Sequence, residues 1–246
     1  MTPDQIQETL RRHHLIASGV PDAKIADFSR TDLREADFVG HNLRKAHFEF
    51  ADLRSVAFGW SDLTYANLAC TTAAHARFDH AILDNADLTE GWFRATSFRD
   101  ASLRSMRAVS TDFTYANFTR ADLTNANLSG CSLGKADLTD AVMEGVQLEG
   151  ANLEGAILPK GYAWWQGGCY GPRRRMIRVW ATPSKVTVYA GCLSGSAEEV
   201  IEEFIHERFP SWVEEVGHFA ALDALRHARE LIEMGLRQVA ITRETT

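Results

Sequence analysis

The chain has 246 residues, 45% hydrophobic, 24% charged and 10% aromatic, a balance that excludes disorder and collagen and supplies a core for one large domain or two small ones. A formal net charge of -7 at pH 7 argues against general affinity for nucleic acid or anionic membranes and leaves a protein partner as the natural class. No apolar run approaches the roughly 20 residues of a transmembrane helix, and Asp4, Glu8, Arg11 and Arg12 stand where a signal peptide needs apolar residues, so the expected location is the cytosol.

Residues 1–25 read as a helical cap. Thr2-Pro3-Asp4-Gln5 has capping-box spacing with Pro at the first helical position, and Ile6, Leu10 and His13 or His14 follow at helical spacing, which predicts a helix over Pro3 to Ala17. Adjacent histidines on a helix do not face each other, so this pair reads as packed or solvated rather than as a metal site.

From Phe28 to Leu158 a step of five residues meets 15 Leu, 9 Phe, Met143, Ala73 and Ala108, with no insertion in 27 positions. Two residues before each lies a column in which 16 of 27 are Ala. The unit is therefore Ala, Asp/Asn, Leu/Phe and two polar residues. A helix rotates about 500° in five residues, and a straight strand would alternate faces at an odd step, so neither holds the pattern. The chain must turn a corner in every unit, pointing the Leu/Phe and the small residue inward. Phe38, Phe58, Phe78, Phe98 and Phe118 recur every twenty residues, and so do Leu43, Leu63, Leu83, Leu103 and Leu123, which indicates four units per coil.

Ala121-Asp122-Leu123-Thr124-Asn125-Ala126-Asn127-Leu128-Ser129-Gly130 resembles a consensus specimen of the pentapeptide repeat family. The resemblance implies a right-handed quadrilateral β-helix over residues 26–160, nearly seven coils and roughly 32 Å long at a strand spacing of about 4.8 Å. It also implies a function, since several family members mimic DNA and occupy the DNA-binding saddle of type II topoisomerases. Residues 26–160 hold 19 Asp/Glu and 13 Lys/Arg, whereas a duplex of equal length presents roughly 19 phosphates. Arg34, Arg54 and Arg94 fall on one side and Arg77, Arg99 and Arg120 on another, interleaved with the acids. Only the last stretch, with Asp137, Asp140, Glu144, Glu149 and Glu154 and no base from Ala136 to Pro159, is unopposed, and mimicry is expected there.

Outward positions also carry Phe50, Trp60, Tyr65, Trp92 and Tyr115, where solenoids normally place small polar or charged residues. These are candidate hot spots for a protein partner, unless the terminal helix or the tail covers them. Trp60 and Tyr65 near one corner form the preferred patch.

Residues 161–172 are rich in Gly and aromatics and read as a linker that closes the last coil through Tyr162, Trp164 and Trp165. Residues 173–246 read as a small α+β module, with strands at Met176–Ala181 and Lys185–Cys192, a capping box Ser196-Ala197-Glu198-Glu199 opening a helix, a second helix from Gly217 to Met234 and a last strand from Leu236 to Thr242. The tail has a weak similarity to tails of phage and bacterial pentapeptide proteins. Arg173, Arg174, Arg175 and Arg178 form the one dense basic cluster, a candidate anion site or a solvated loop. Cys192 before a helix N-terminus, with His206 or His218 as base, is the candidate for catalysis, against the plainer reading of a buried small residue. Cys70, Cys131, Cys169 and Cys192 lack CxxC spacing and read as reduced packing residues.

The expectation is a non-enzymatic protein-binding solenoid with no cofactor or metal. Its specific form is an inhibitor that occludes a DNA-handling enzyme, or alternatively a scaffold or phage-type antagonist working through the aromatic patch, or a small-ligand tail. A homodimer through the C-terminal module is a further expectation.

Overall fold

The computed structural model describes residues 1–15, 24–170, 175–181, 186–190 and 193–196, together with 230, 232–234, 236, 237, 239 and 240. Two compact units are separated between Pro159 and Lys160.

The first unit is the β-solenoid. Each unit's second residue forms a parallel bridge to the residue twenty positions on, in an unbroken series from Asp27↔His47 to Asp137↔Ile157. Four pentapeptides therefore complete one coil. Four of the five amides of a unit have a recurring backbone acceptor, as a buried backbone requires. The first closes the turn behind it, as Ala36 N–H does on the Leu33 carbonyl (2.9 Å). The second donates to the coil below (Asp52 to Thr31, 2.9 Å), and the third and fifth donate to the coil above (Phe28 to His47 and Arg30 to Glu49, both 2.8 Å). In fourteen units the fourth is taken by a side chain: Asp27, Asp32, Asp37, Asp52, Asp62, Asp87, Asp112, Asp122 and Asp137 each accept the N–H two residues on, as do Asn42, Asn67, Asn117, Asn127 and Asn152. The Asp/Asn column is thus a set of Asx turns that carries the chain from straight side to corner.

Each corner is the fifth residue, and all 26 from Arg30 to Gly155 have positive φ, between 54° and 73°. Only Gly40, Gly130, Gly145, Gly150 and Gly155 are glycines; the other 21 hold ordinary side chains in the left-handed region, at roughly 1 kcal/mol or more apiece. The coil-to-coil ladder offsets this strain. One aromatic falls on each of the four corners, Phe50, Tyr65, Trp60 and Tyr115.

The Leu/Phe column is buried from Phe28 to Leu153, with Leu158 half-buried at the end. Phe38, Phe58, Phe78, Phe98 and Phe118 form one continuous stack with centroids 4.7 to 5.1 Å apart and planes within 13°. Rings from neighbouring sides meet it edge-on, as Phe48 does on Phe58 at 89° and Phe113 on Phe118 at 75°. Where the column shrinks to Ala73 and Ala108, their carbonyls accept from the buried Thr96 hydroxyl (2.7 Å) and the Cys131 thiol. Above Ala73, Phe93 lies over Gly91, where an added Cβ would overlap the Phe93 ring and approach the Leu88 carbonyl to 3.0 Å.

Helix α1, Pro3–His14, covers the first coil. The Thr2 side chain accepts from Gln5 N–H (3.3 Å), and the Gln5 side chain accepts from Thr2 N–H (2.8 Å). The described helix runs to His14 with Leu15 as its C-cap, and Ala17, its expected end, lies among residues 16–23, outside those described. Leu10 and His13 are its buried residues. His13 Nδ1 accepts the Ala26 N–H at 3.0 Å, supplying a partner at the open start of the ladder, and His14 stacks on His41 at 5.4 Å.

The second unit holds a four-stranded antiparallel sheet in sequence order, β1 Ala163–Tyr170, β2 Arg175–Ala181, β3 Val186–Ala190 and β4 Leu193–Gly195. Residues 163–170 are therefore a strand paired along β2, with a register shift between Gly167 and Cys169, rather than a linker. The two glycines disguise it, and the shift absorbs them. β4, between β3 and the Ser196 capping box, is a short strand that the sequence pattern did not mark. Residues 236, 237, 239 and 240 are helical where a strand was expected, because Ile232 and Val239, seven apart, bury one helical face and Arg237 pairs with Glu233 at 3.4 Å. The helix opened by Ser196-Ala197-Glu198-Glu199 and most of Gly217 to Met234 lie outside the described residues. Among the described residues, no helix is long and apolar enough to cross a membrane.

Two expectations follow. Gly91→Ala overpacks the Phe93 pocket and lowers stability by about 1–3 kcal/mol in urea unfolding, while Ala86→Gly at an equivalent position produces no comparable ring clash. Burial, reinforced by His14, holds the His13 imidazole below its ordinary range. The unfolded chain thus protonates first, so the stabilisation is complete above about pH 6.5 and is lost as pH falls through the folded value. Amide exchange at Ala26 accelerates between about pH 7 and 5 after correction for intrinsic rates, and His13→Gln, whose oxygen accepts at any pH, flattens that dependence.

Candidate functional site

The outer surface is organised by the same register as the core. Residues twenty apart lie in one column, so every surface residue belongs to one of four sides or one of four corners.

Phe50, Trp60, Tyr65, Trp92 and Tyr115 are all exposed. Two already hold cations. The Arg30 guanidinium lies over Phe50 at 4.7 Å, the Arg94 guanidinium over Tyr115 at 4.8 Å, and Lys135 Nζ reaches the Tyr115 hydroxyl at 3.2 Å. The Lys135 contact also holds the Tyr115 phenol below its ordinary range. Trp92 stands at a side position between Thr72 below and Asp112 above. Trp60 and Tyr65 occupy successive corners of one coil rather than one corner, because five residues advance the chain by a full side.

The Trp60 corner carries a continuous side-chain ladder. Trp60 stacks on His80 with centroids 4.1 Å apart and planes at 13°. His80 Nε2 lies 4.0 Å from Asp100, and Asp100 holds Arg120 through two 2.6 Å bonds, which keep its carboxyl below the usual range. Periodicity had marked Trp60 as exposed; reading the corners twenty residues apart would also have found His80, Asp100 and Arg120.

The acids are spread around the tube. Asp137 and Asp140 lie on the side and corner of the Trp60 column, Glu144 on the side leading to Tyr65, Glu149 on the side leading to Phe50 and Glu154 on the side leading to Tyr115. They form a girdle at one end, not a stripe along the rod. The most acidic side with its corner, the one ending at Phe50, has Asp27, Glu49, Asp87, Glu90 and Glu149 against Arg30 and Arg107, a net of -3. Nine of the 19 acids are the Asx-turn aspartates, whose carboxylates serve the backbone. The Arg34, Arg54 and Arg94 side is largely self-paired, with Arg34 on Asp32 at 2.8 Å and Arg54 on Asp52 at 2.6 Å; Arg34 holds the Asp32 carboxyl at about 2.

Among the described residues, no group of three or more His, Cys, Asp or Glu is arranged to hold a metal ion. Burial pushes the Cys131 thiol up to about 12, and burial with Glu90 raises Cys70, so neither is an activated nucleophile. Cys192, His206 and His218 lie outside the described residues, as do Arg173 and Arg174. Arg175 and Arg178 are in β2, where their backbones pair with Tyr170 and with Gln166 and Tyr189.

Solved structures with a related fold include HetL, a pentapeptide repeat protein involved in heterocyst differentiation regulation in the cyanobacterium Nostoc sp. strain PCC 7120. It is 27% identical over 54% of this chain and 76% of its own, with a TM-score of 0.32. A trypsin-treated form of QnrB1, a plasmid-mediated fluoroquinolone resistance protein, is 19% identical over 53% of this chain and 64% of its own, with a TM-score of 0.33. A thylakoid-lumen pentapeptide repeat protein of Arabidopsis thaliana is 26% identical over 52% and 66%, with a TM-score of 0.19. The curated proteins contain no match. The family model for pentapeptide repeats matches in eight copies, over residues 26–59, 58–100, 93–130 and 121–158, more than half of the chain. With a core register unbroken over the same residues, the chain belongs to the pentapeptide repeat family.

Proposed function

We propose that this protein is a non-enzymatic binding protein whose solenoid presents the Trp60 corner to a protein partner. The observation that carries the reading is the exposure of a tryptophan, 67% accessible, on a corner stiffened by its own ladder. A rigid aromatic loses little side-chain entropy on binding, and desolvating it is the usual source of interface hot spots. Its spread of charge fits a mixed protein surface better than a polyanion site.

Affinity capture from a bacterial lysate tests this. Trp60→Ala, which leaves the core column untouched, is expected to abolish the retained band with an unchanged circular dichroism spectrum, and capture is expected to persist to high salt. Equal capture by wild type and Trp60→Ala would overturn the assignment of the contact to this corner.

A second reading is favoured by one observation, the base-free girdle of Asp137, Asp140, Glu144, Glu149 and Glu154. In it the acidic end replaces DNA on a DNA-handling enzyme such as a type II topoisomerase. Its signature is inhibition of gyrase supercoiling that weakens steeply with salt and is lost on converting these five to Gln or Asn. No inhibition at large molar excess removes the topoisomerase version.

A further inference from the structure

The corner columns carry three rings with a defined neighbour in their own or an adjoining column, and the differences among them are informative. Phe50 and Tyr115 each have an arginine of this same chain on the ring, at 4.7 and 4.8 Å. Trp60, the ring type that binds cations best, has none among the described residues; His80 stacks on the face towards the next coil. The other face looks down its column to Gly40, which has no side chain to cover it. A Cβ built on Gly40 would meet nothing within 4 Å. Beside the gap, Val39 is 49% exposed and lies under Gly59, the residue preceding Trp60, its Cγ2 4.0 Å from where a Gly59 Cβ would be. The corner therefore holds a slot one coil high, with an indole for a roof, an open backbone corner for a floor and a valine at its flank.

Among the described residues no cation of the chain enters this slot. Asp37, in the pentapeptide that forms the floor, makes an Asx turn to Val39 at 2.9 Å and is in no ion pair among those residues. Resting on the proposed function of this corner, we infer that the slot takes the guanidinium of an arginine side chain from the protein partner, stacked on the free face of Trp60. The occupant reproduces from outside the contact that Arg30 and Arg94 make inside the molecule, against a chain of net charge -7 that favours a cation.

The test titrates uniformly 15N-labelled protein with acetyl-arginine amide, following the indole N–H of Trp60, assigned by its disappearance in Trp60→Phe. Trp92, 66% exposed with Thr72 and Asp112 for column neighbours, is the internal reference. Saturable movement of the Trp60 indole beyond that of Trp92, absent with acetyl-norleucine amide, is expected. Gly40→Tyr plugs the slot while leaving Trp60 in place, and the aromatic corners at Phe50, Trp60, Tyr65 and Tyr115 with φ of 60° to 62° indicate that the backbone accepts it. It is expected to abolish the shift. Val39→Lys, a surface change that adds a like charge at the flank, is expected to weaken binding. Equal movement of Trp60 and Trp92, an unchanged titration in folded Gly40→Tyr, or a larger Trp60 shift with acetyl-phenylalanine amide would overturn the assignment. In lysate capture, loss with Trp60→Ala but retention with Gly40→Tyr would overturn the slot while leaving the aromatic corner as the contact; retention with both would remove the corner itself.

Discussion

Everything in the solenoid depends on where its backbone amides find acceptors. A five-residue unit directs one N–H to the turn behind it, one to the coil below and two to the coil above, and in fourteen units an Asp or Asn side chain takes the remaining one. Adding or removing one residue would shift every later ladder bond out of register and orphan buried donors, and the repeat runs from 26 to 158 without an insertion. The inward Leu/Phe column supplies the hydrophobic driving force, but the ladder decides where each side chain points.

The same amides also shape the composition of the surface. Acidity in a solenoid invites a functional reading, yet nearly half of the acids here sit where their carboxylate receives a backbone amide. Asn serves the same purpose at 42, 67, 117, 127 and 152. Net charge is therefore partly a by-product of turn chemistry. The residues that the backbone does not require, the aromatics on the corners and the girdle of the last coils, are the better guides to what the protein touches.

The core and coil length were legible in the sequence because Phe and Leu segregate at a spacing of twenty, and the start of α1 was legible because Thr2 and Gln5 form a capping box. The left-handed corners were less so: glycine, the usual marker of positive φ, stands at only five of 26, while side chains as varied as Arg, Glu, Trp, Ser and His occupy the rest. Strand β1 was missed because Gly167 and Gly168 read as a break, and the helical residues 236, 237, 239 and 240 because the β-branched Val239, Ile241 and Thr242 imitate a strand. Of the aromatic candidates, the sequence identified the residues but not their partners. Arg30 on Phe50, Arg94 on Tyr115 and Gly40 beneath Trp60 are separated along the chain by 20 or 21 residues, a spacing that acquires meaning only once the coil is closed.

The one-to-one correspondence between residue number modulo twenty and compass direction has a consequence for how such a chain diverges. Duplication of a whole lap lengthens the tube and leaves every distal group facing as before. Loss of a single pentapeptide swings all that follows through a quarter revolution, setting Phe98 and Phe118 against a leucine side and carrying Tyr115 onto the azimuth of Arg30 and Phe50. Inheritance in this molecule is therefore quantised: length changes by laps, and orientation changes by quadrants.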